Sequence, residues 1–304
     1  MVDVVIVHHN TLELTNRCIQ TLIETAGDTI ASIVVVDNAS TDGSSEALRA
    51  QFPTVRIERS REPLSYAAAC NRGARLGTAR YVVLSNSDVE YCPDALGALY
   101  RHMESHPPAG VSCPRQHYPS GRPQRSWGYY PGWGEIAAVM LGIEALHNRH
   151  GHTGAHWRAV PYCDGAVLFC RRSAYEQLGG MDERFAFFGE DADLCYRMWL
   201  HGWHCHFLPS AQVVHHRGAT RQRDPNEAIA YEIKNMQAKL RFLQLHHARA
   251  FPAMRLGYRA MNLWRRAAIE LLRLGTVLSP SDYARKVATL NALRTVLSRH
   301  DERL

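Results

Sequence analysis

The chain has 304 residues, of which 46% are hydrophobic, and a formal net charge of +6. This length and apolar content are typical of a globular protein, with one large domain and an appendage or with two ordinary domains. The longest apolar run is shorter than the roughly 20 residues that cross a bilayer, and the first residues lack a basic segment, so we expect neither a membrane span nor a secretory signal.

Eight cysteines are spread along the sequence without a Cys-x-x-Cys pair or a regular framework. In a chain without an export signal, such spacing is typical of reduced thiols. We therefore expect a cytoplasmic protein without disulfides.

The first hundred residues alternate short β-branched runs with segments of helical periodicity. The predicted strands are Val2 to Val7, Ile33 to Val36, Val55 to Glu58 and Tyr81 to Leu84. The predicted helices lie near residues 12–25, 43–51, 65–77 and 94–105. This alternation predicts an α/β fold with a mainly parallel central sheet flanked by helices.

Polar residues directly follow three of these strands. Because ligands of open α/β sheets bind beyond the carboxyl ends of the strands, we expect these residues to line the site. They are His8, His9 and Asn10, then Asp37 and Asn38, then Asn86, Ser87 and Asp88. The glycine-rich motifs of dinucleotide-binding folds and P-loops are absent from the sequence, so a bound nucleotide would be held in another way.

Residues 107–135 are rich in Pro, Gly, Trp and Tyr, and we predict a loop region there, either a packed cover or a binding platform. A glycine-containing stretch follows that we expect to be a loop near the substrate. It carries His147, His150, His152 and His156. Regular structure is then predicted for the strand Ala166 to Cys170, the helix Ala174 to Leu178, and the strands Cys205 to Leu208 and Gln212 to His215.

Three carboxylates, Glu190, Asp191 and Asp193, lie within four residues at the predicted start of a helix. Exposed backbone N–H groups and the positive end of the helix dipole would hold a carboxylate ionised and oriented there, as a general base requires. The alternative is that one acid caps the helix while Asp193 pairs with Arg197 four residues later. Taken alone, the segment favours this second interpretation.

The chain beyond residue 228 has helical periodicity, and residues 231–304 hold 14 Lys or Arg against 5 Asp or Glu. The predicted helices are Tyr231 to Arg249, Met254 to Leu274 and Asp282 to Leu297. A basic segment of this kind suits nucleic acid or an anionic membrane surface, although a solvated helical face is commoner. Nucleic acid is not expected, because few aromatic residues are interleaved with the arginines and no nucleic-acid motif is present.

Five short segments, in a fixed order, make the chain resemble family 2 glycosyltransferases of the GT-A fold, in particular the bacterial rhamnosyltransferase-like branch. They are Val4 to Asn10, Val35 to Gly43, Ala67 to Gly73, Leu84 to Asp88, and Gly179 to Phe185 leading into Glu190 to Cys195. A sixth, Ala211 to Gly218, resembles the late histidine segment of the family. The resemblance covers about residues 2–225.

We therefore predict a GT-A catalytic domain over residues 1–228 and a basic helical appendage over residues 229–304. Within the catalytic domain, residues 1–106 would form the nucleotide-binding half and residues 107–228 the acceptor and catalytic half.

The resemblance implies a set of nucleotide-binding residues. Asp37 would accept a hydrogen bond from the imide N–H of uracil or thymine, and the alternative for it is an Asx turn. His9 stands where the family usually has tyrosine, and Pro63 to Tyr66 replace the family's Asn-x-Gly-Phe. The full set is His8, His9, Asn10, Asp37, Asn71, Asn86 and Ser87.

The Asp-x-Asp metal motif of the family is Asn86-Ser87-Asp88 in this chain. Asp88 would supply the charged ligand for Mn²⁺ or Mg²⁺, and Asn86 a neutral oxygen. His215 would be a third protein ligand and would favour Mn²⁺, and the alternative for it is a buried neutral histidine.

The resemblance further implies an inverting transfer of a sugar from a UDP- or dTDP-sugar to a hydroxyl of a glycan or lipid-linked glycan, in surface polysaccharide synthesis. Asp191 would be the base, and Glu190 would bind the acceptor or orient Asp191. Asp164 and Gly165 would line the donor sugar. Trp127 would stack on an acceptor sugar, although core packing is its commoner role.

Two questions stay open at this level. The first is whether the chain is a catalytically silent nucleotide-sugar or glycan binding module, against which the intact Asp88 and Asp191 argue. The second is whether the basic helices attach the protein peripherally to the inner face of the cell membrane, pack on the catalytic domain, or form a homodimer contact.

Overall fold

A mixed β-sheet contains most of the strands that the structure describes. The computed structural model describes residues 1–143, 154–217, 225–274 and 277–298. Nine strands form the sheet in the order β3-β2-β1-β4-β10-β6-β11-β5, with β8 on β11, and β7 pairs with β9 separately. The strands are β1 Val2–His8, β2 Ile30–Asn38, β3 Arg56–Ser60, β4 Tyr81–Asn86, β5 Val89–Tyr91, β6 Ala109–His117, β7 Trp127–Gly128, β8 Arg158–Ala159, β9 Tyr162–Cys163, β10 Val167–Arg171 and β11 His204–His215.

Helices connect these strands and continue beyond them. They are α1 Leu12–Ala26, α2 Ser44–Gln51, α3 Tyr66–Ala74, α4 Ala95–Ser105, α5 Trp133–Met140, α6 Arg172–Gln177, α7 Glu190–Leu200, α8 Pro225–His246, α9 Phe251–Leu274 and α10 Pro280–Ser298. The α/β class with a C-terminal helical region is confirmed. In α1, Thr15, Cys18, Ile19, Leu22 and Ala26 are buried, and this helical spacing places them on the face that packs on the core.

The sheet is parallel only in part. Strands β3, β2, β1 and β4 pair in parallel, as predicted for the first hundred residues. Beyond β4 the pairing is no longer uniform: β10 is antiparallel to β4 and to β6, β6 is parallel to β11, and β5 is antiparallel to β11. The sheet is therefore mixed, because β10 and β5 run against the direction of their neighbours.

The prediction of a loop over residues 107–135 is wrong, because β6, β7 and the start of α5 lie there. Pro114, which suggested a loop, lies in β6 opposite Leu208, where the pairing with β11 shifts register before Gln212. At such an irregularity a proline can be accommodated without a ladder N–H.

The described chain divides into two packing units. The first consists of Met1–Tyr129, His150–Ala186 and Glu190–Thr220, and it contains every strand described above. The second consists of Tyr130–Arg149, Phe187–Gly189 and Arg221–Leu304. The predicted domain boundary at residue 228 stays a prediction, and the structure adds that α5 packs with the C-terminal helices.

The second unit has a polar centre. The Glu135 carboxylate accepts hydrogen bonds from the Lys239 ammonium and, at 2.6 Å, from the Tyr258 hydroxyl. The Tyr258 oxygen also accepts the N–H of Gly132 at 3.2 Å. These bonds join α5, α8 and α9.

All eight cysteines lie in the described residues and are free, as expected, and Cys92 alone among them is not fully buried. Within the part of the chain that the structure covers, no helix is both long enough and apolar enough to cross a membrane. Of the four loop histidines, His147, His150 and His152 lie outside the described residues, and His156 is exposed.

Candidate active site

The carboxyl ends of β1, β2 and β4 lie at one edge of the sheet. His8 is opposite Asp37 in the pairing of β1 with β2, and Val7 is opposite Asn86 in the pairing of β1 with β4. Asn86 is half-buried, and its N–H donates to the carbonyl of Ala166 at 3.0 Å. The predicted strand-end residues are therefore brought together.

His8 is fully buried beneath this edge. Its Nδ1 lies 2.7 Å from the Thr15 hydroxyl and its Nε2 lies 2.7 Å from the Ser44 hydroxyl. Burial lowers the pKa of His8, so the ring is neutral. The His8 side chain joins β1 to α1 and α2.

Ser87, also predicted to bind nucleotide, is buried, and its hydroxyl lies 3.0 Å from the Thr11 hydroxyl.

Asp37 is bonded within its own loop, but to a backbone N–H three residues on, not to the one two residues on that defines the Asx turn given as the alternative. Its carboxylate accepts the Ser40 N–H at 2.9 Å and the Ser45 hydroxyl, and the side chain has no solvent exposure. Burial alone would raise the pKa of Asp37, but these hydrogen bonds outweigh it and lower the pKa. Contact with a base stays a prediction and would require this carboxylate to become accessible.

His9 and Asn10 are exposed at the same edge. The Nδ1 of His9 lies 2.8 Å from the Asn38 carbonyl, and Asn10 accepts the Thr41 N–H at 2.9 Å. Asn10 has a φ of +49°, in the left-handed region that Asn tolerates. Both residues remain available to a nucleotide.

Asn71 lies elsewhere, inside a packed junction. Its Nδ2 donates to the Met181 carbonyl at 2.9 Å and to Glu183 at 2.8 Å, and its Oδ1 accepts the Tyr175 hydroxyl at 2.5 Å. Because the amide is buried and bonded on both sides, Asn71 holds the chain around Gly180 rather than presenting itself to a ligand.

Asp88 and His215 lie together. They were predicted as the carboxylate and the imidazole ligand of a divalent cation. The Nε2 of His215 is 3.2 Å from Oδ1 of Asp88, and their side chains are 5% and 14% exposed. They are far apart in the sequence, and the pairing of β11 with β5 brings them together, because it places His215 opposite Val89, the residue after Asp88. The pair forms a small, almost buried donor set of one nitrogen and one carboxylate.

Gln116, a residue that the sequence analysis missed, orients His215. Its Nε2 donates to Oδ1 of Asp164 at 3.2 Å, so its Oε1 is turned to Nδ1 of His215, also at 3.2 Å. An amide oxygen accepts hydrogen bonds, so Nδ1 carries the hydrogen and Nε2 faces Asp88. Metal-binding histidines are commonly oriented in this way. Gln116 is fully buried.

Asp164 is nearly buried and lies between two parts of the site, the pair of Asp88 and His215 and the carboxylates at the start of α7. Its Oδ2 accepts a bond from Arg217 at 2.5 Å. Burial alone would raise the pKa of Asp164, but the positive charges of Arg217 and Arg125 outweigh it and lower the pKa, so the carboxylate is ionised. The next residue, Gly165, donates its N–H to Oδ2 of Asp191 at 2.9 Å.

Asp191 is held at the start of α7 by backbone groups. Its Oδ1 accepts the N–H of Ala192 at 2.7 Å, and Gly165 bonds its other oxygen. Burial, followed by the negative charge of Asp164, raises the pKa of Asp191 to about 7. A carboxylate that is partly exposed, fixed in direction and titrates near neutral pH has the properties of a general base.

Glu190 differs from its neighbour. It is buried, and its Oε2 has no hydrogen-bond partner among the residues that the structure describes. Burial, followed by the Asp191 carboxylate, raises the pKa of Glu190 to about 8. Asp193 pairs with Arg197 at 2.7 Å, as the alternative expected, but the Asp193 side chain is 1% exposed, so this ion pair is buried and is not a helix-surface contact. The acidic segment therefore contains both a structural pair and two carboxyl groups of perturbed acidity.

Trp127 does not form a stacking surface. It is 3% exposed and packs edge-on against Tyr129, with ring centroids 5.6 Å apart. Its core-packing alternative is the one observed. The exposed aromatic in this part of the first unit is Tyr129, which is 42% exposed.

Comparison with known proteins identifies the family of the chain. The family described as "Glycosyl transferase family 2" matches residues 3–179, more than half of the chain. The chain belongs to glycosyl transferase family 2. A second family, described as "N-terminal domain of galactosyltransferase", matches residues 153–218. The protein is therefore a glycosyltransferase, as predicted, and the silent binding module is not favoured.

Relatives place this glycosyltransferase in the rhamnosyltransferase-like branch. The N-acetylglucosaminyl-diphospho-decaprenol L-rhamnosyltransferase of Mycobacterium tuberculosis is 30% identical over 233 residues, which cover 67% of this chain and 72% of that protein. Rhamnosyltransferase WbbL of Escherichia coli is 26% identical over 104 residues, which cover 33% of this chain and 38% of that protein. The predicted branch is confirmed.

Solved structures with similar folds are glycosyltransferases as well. Mannosyltransferase PcManGT of Pyrobaculum calidifontis, solved with GDP-Man and Mn²⁺, has a TM-score of 0.60 at 19% identity and covers 98% of this chain and 84% of that chain. GalNAc-T7, solved with UDP, GalNAc and Mn²⁺, has a TM-score of 0.59 at 18% identity and covers 80% of this chain. This chain spans 47% of the GalNAc-T7 chain. The likeness shows the predicted GT-A fold.

Proposed function

We propose that this family 2 glycosyltransferase moves a sugar from a UDP- or dTDP-sugar to a hydroxyl of a glycan or lipid-linked glycan, with inversion at the anomeric carbon. The observation that carries the proposal is a continuous run of contacts. It leads from Asp191 through Gly165 and Asp164 to Gln116, His215 and Asp88. A base and a leaving-group site are thereby held in one network.

Asp191 acts as the base in this proposal. In inversion the acceptor hydroxyl attacks the anomeric carbon from the side opposite the nucleoside diphosphate, and its proton goes to a carboxylate on that side. The bonds from Gly165 and Ala192 fix the Asp191 carboxylate without occupying every lone pair. Glu190, protonated near neutral pH, has a buried oxygen without a partner among the described residues and would hydrogen-bond the acceptor.

Asp88 and His215, with the neutral oxygen of Asn86, would hold a divalent cation, Mn²⁺ or Mg²⁺. The nitrogen and oxygen donors fit such an ion, and imidazole favours Mn²⁺. No group of three or more His, Cys, Asp or Glu side chains in the described residues could hold a metal. A cation here would therefore take further ligands from water and from the donor phosphates, and it would neutralise charge on the leaving diphosphate.

The nucleotide would bind at the exposed edge formed by His9 and Asn10. Arg217 and Arg125 add positive charge beside Asp164, as the lowered pKa of Asp164 reflects, and this charge suits a diphosphate. Asp164 and Gly165 would face the donor sugar.

The acceptor would be a lipid-linked glycan. The relative from Mycobacterium tuberculosis is named for L-rhamnosyl transfer and for N-acetylglucosaminyl-diphospho-decaprenol. Such an acceptor lies in a membrane, which supports a cytoplasmic protein attached peripherally to the inner face of the cell membrane.

A donor panel tests this function. UDP-, dTDP- and GDP-sugars are incubated with the protein and Mn²⁺ or Mg²⁺, and thermal stabilisation and slow donor hydrolysis are measured. We expect both signals with a UDP- or dTDP-sugar and a cation. Signals with GDP-sugars alone would overturn the proposed base preference, and no signal with any donor would overturn the proposed site.

A further inference from the structure

Helix α9 (Phe251–Leu274) carries an apolar stripe on its outer face. The stripe consists of Leu256, Leu263, Trp264, Leu271 and Leu274, whose exposed fractions are 63%, 61%, 48%, 69% and 82%. The exposed positions between them on this face, Ala260 and Ala267, are also apolar. At 100° per residue all seven lie within about one third of the helix circumference.

The opposite face of α9 is already used for packing. Met254, Tyr258, Met261 and Asn262 are buried in the second unit. Asn262 donates to the Leu290 carbonyl of α10 at 3.3 Å. The apolar stripe is therefore additional to the face that stabilises the fold, and its exposure is unusual for so many large apolar side chains on one surface.

Arginines flank the apolar stripe along one side. Arg255, Arg259, Arg266 and Arg273 recur at helical spacing and lie on the side of α9 next to α10. Arg255 and Arg259 both donate to the Leu297 carbonyl, at 2.9 and 3.0 Å, which fixes the direction of their side chains. The helix as a whole has five arginines and one glutamate.

We infer that the apolar stripe of α9 docks on the surface of an anionic lipid bilayer. An apolar face with leucines and a tryptophan, bordered by arginines, matches the arrangement by which amphipathic helices lie in the plane of a membrane. Arg266 also pairs with Glu270 at 2.9 Å, and Arg273 lies 4.3 Å from the centroid of the Tyr283 ring. The arginines therefore border the apolar face within the protein's own contacts, and the net positive charge that α9 retains would attract an anionic leaflet. The inference names a surface for the proposed peripheral attachment and does not depend on the donor or the acceptor.

A second copy of the chain could also cover the apolar stripe, but the net positive charge of α9 favours the bilayer. Two α9 helices packed through this stripe would bring their net positive charges together, which is unfavourable. An anionic leaflet supplies charge of the opposite sign along the same surface.

Vesicle binding of the full chain tests the inference. The unmodified protein, Leu263→Glu/Leu271→Glu, and the control Leu200→Glu are sedimented with phosphatidylcholine vesicles that contain or lack phosphatidylglycerol. Leu200 is 65% exposed at the end of α7, so it matches the stripe leucines in kind and exposure. Circular dichroism and slow donor hydrolysis in solution confirm that each variant is folded.

We expect the unmodified protein and the Leu200 variant to bind vesicles that contain phosphatidylglycerol, more weakly at high salt. The double variant should bind at least tenfold more weakly, and Trp264→Phe should remove part of the fluorescence change on binding. Absence of vesicle binding by the unmodified protein, or equal binding by the double variant, overturns the inference. A dimer in sedimentation velocity that the double variant loses, without vesicle binding, would assign the stripe to a second copy.

The two proposals fail separately. Vesicle binding without donor hydrolysis would contradict the proposed transfer reaction only. Hydrolysis without vesicle binding would contradict the membrane surface and the peripheral attachment, but not the transfer reaction.

Discussion

Glu190 and Asp191 are neighbours in the chain, but we expect their substitution to reduce sugar transfer by very different factors. We expect Asp191→Asn to reduce transfer by roughly 100-fold or more, the scale of losing a general base, while donor affinity changes little. Glu190→Gln should reduce transfer only a few-fold, because Glu190 with its raised pKa is already neutral and an amide is a close substitute. Steady-state kinetics and donor titration measure both. A larger loss in the Glu190 variant would exchange their roles.

The raised pKa of Asp191 also predicts the pH dependence of transfer. The base works ionised, and its pKa of about 7 means that the protonated fraction grows as the pH falls below that value. We expect kcat/KM to rise with pH and to level off above about pH 7. Asp191→Asn serves as the control and should lack this limb. A profile that is flat from about pH 5 to 8 would place the base on another group.

Asp88→Ala tests the cation site. Removal of the one full carboxylate from the strand-end motif should abolish the gain in nucleoside diphosphate affinity that Mn²⁺ brings, while leaving any cation-independent binding. Calorimetry with UDP, with and without Mn²⁺, measures the gain. Asp94→Ala, at an exposed carboxylate paired with Arg101, is a control that should retain it.

The direction of a side chain decides whether a predicted site residue can face the site. The family resemblance implied one site for Asp88, Asp164, Asp191 and His215, and the structure joins these four in one network of contacts, while their roles stay predictions. The sequence could not show that Asn71 turns inward, since a buried amide and a ligand-binding amide have the same local pattern. Gln116 was missed because its strand was predicted to be a loop.

The turn before Met181 contains two glycines with different surroundings. Gly179 and Gly180 have φ values of +73° and +82°. A Cβ on Gly180 would overlap Oδ1 of Asn71, whereas a Cβ on Gly179 would meet nothing within 4 Å.

We therefore expect Gly179→Ala to lower the free energy of unfolding by about 1 kcal/mol, the cost of a left-handed alanine. Gly180→Ala should lower it by about 1 to 2 kcal/mol more, because the junction around Asn71 must open as well. Chemical denaturation measures both. Equal losses would mean that Asn71 adjusts without cost.

Periodic elements were predicted closely and irregular ones were not. The first four strands were predicted from short β-branched runs between helical segments, and the three C-terminal helices from their helical texture. Strand β11 was predicted as two strands because Pro209 and Ser210 interrupt it, yet the chain continues as one strand across a register shift. The same irregularity accommodates Pro114 in β6. Whether a strand continues across such residues depends on its pairing with strands that are distant in the sequence. The local sequence pattern carries no information about that pairing.

For the molecule as a whole, we expect the two packing units to respond separately to core changes. Tyr258→Phe removes the hydroxyl that bonds Glu135 and Gly132, so hydrogen exchange should quicken in α5 and α9. Tyr81→Phe removes the hydroxyl that bonds Glu104 at 2.6 Å and should quicken exchange in the sheet instead. Equal loss of protection in both units for either variant would show that they open together.

The discontinuous second unit has a consequence for synthesis on the ribosome. Helix α5 is made early, but its partners α8 and α9 follow only after residue 224. Roughly 120 residues separate Ile136 from Gly257 of α9, beside which it lies, so at about 5 to 20 residues per second Ile136 stays without this cover for about 6 to 24 s. During that time the nascent chain exposes an apolar helix, and its rate of elongation and its access to chaperones will affect the yield of folded enzyme.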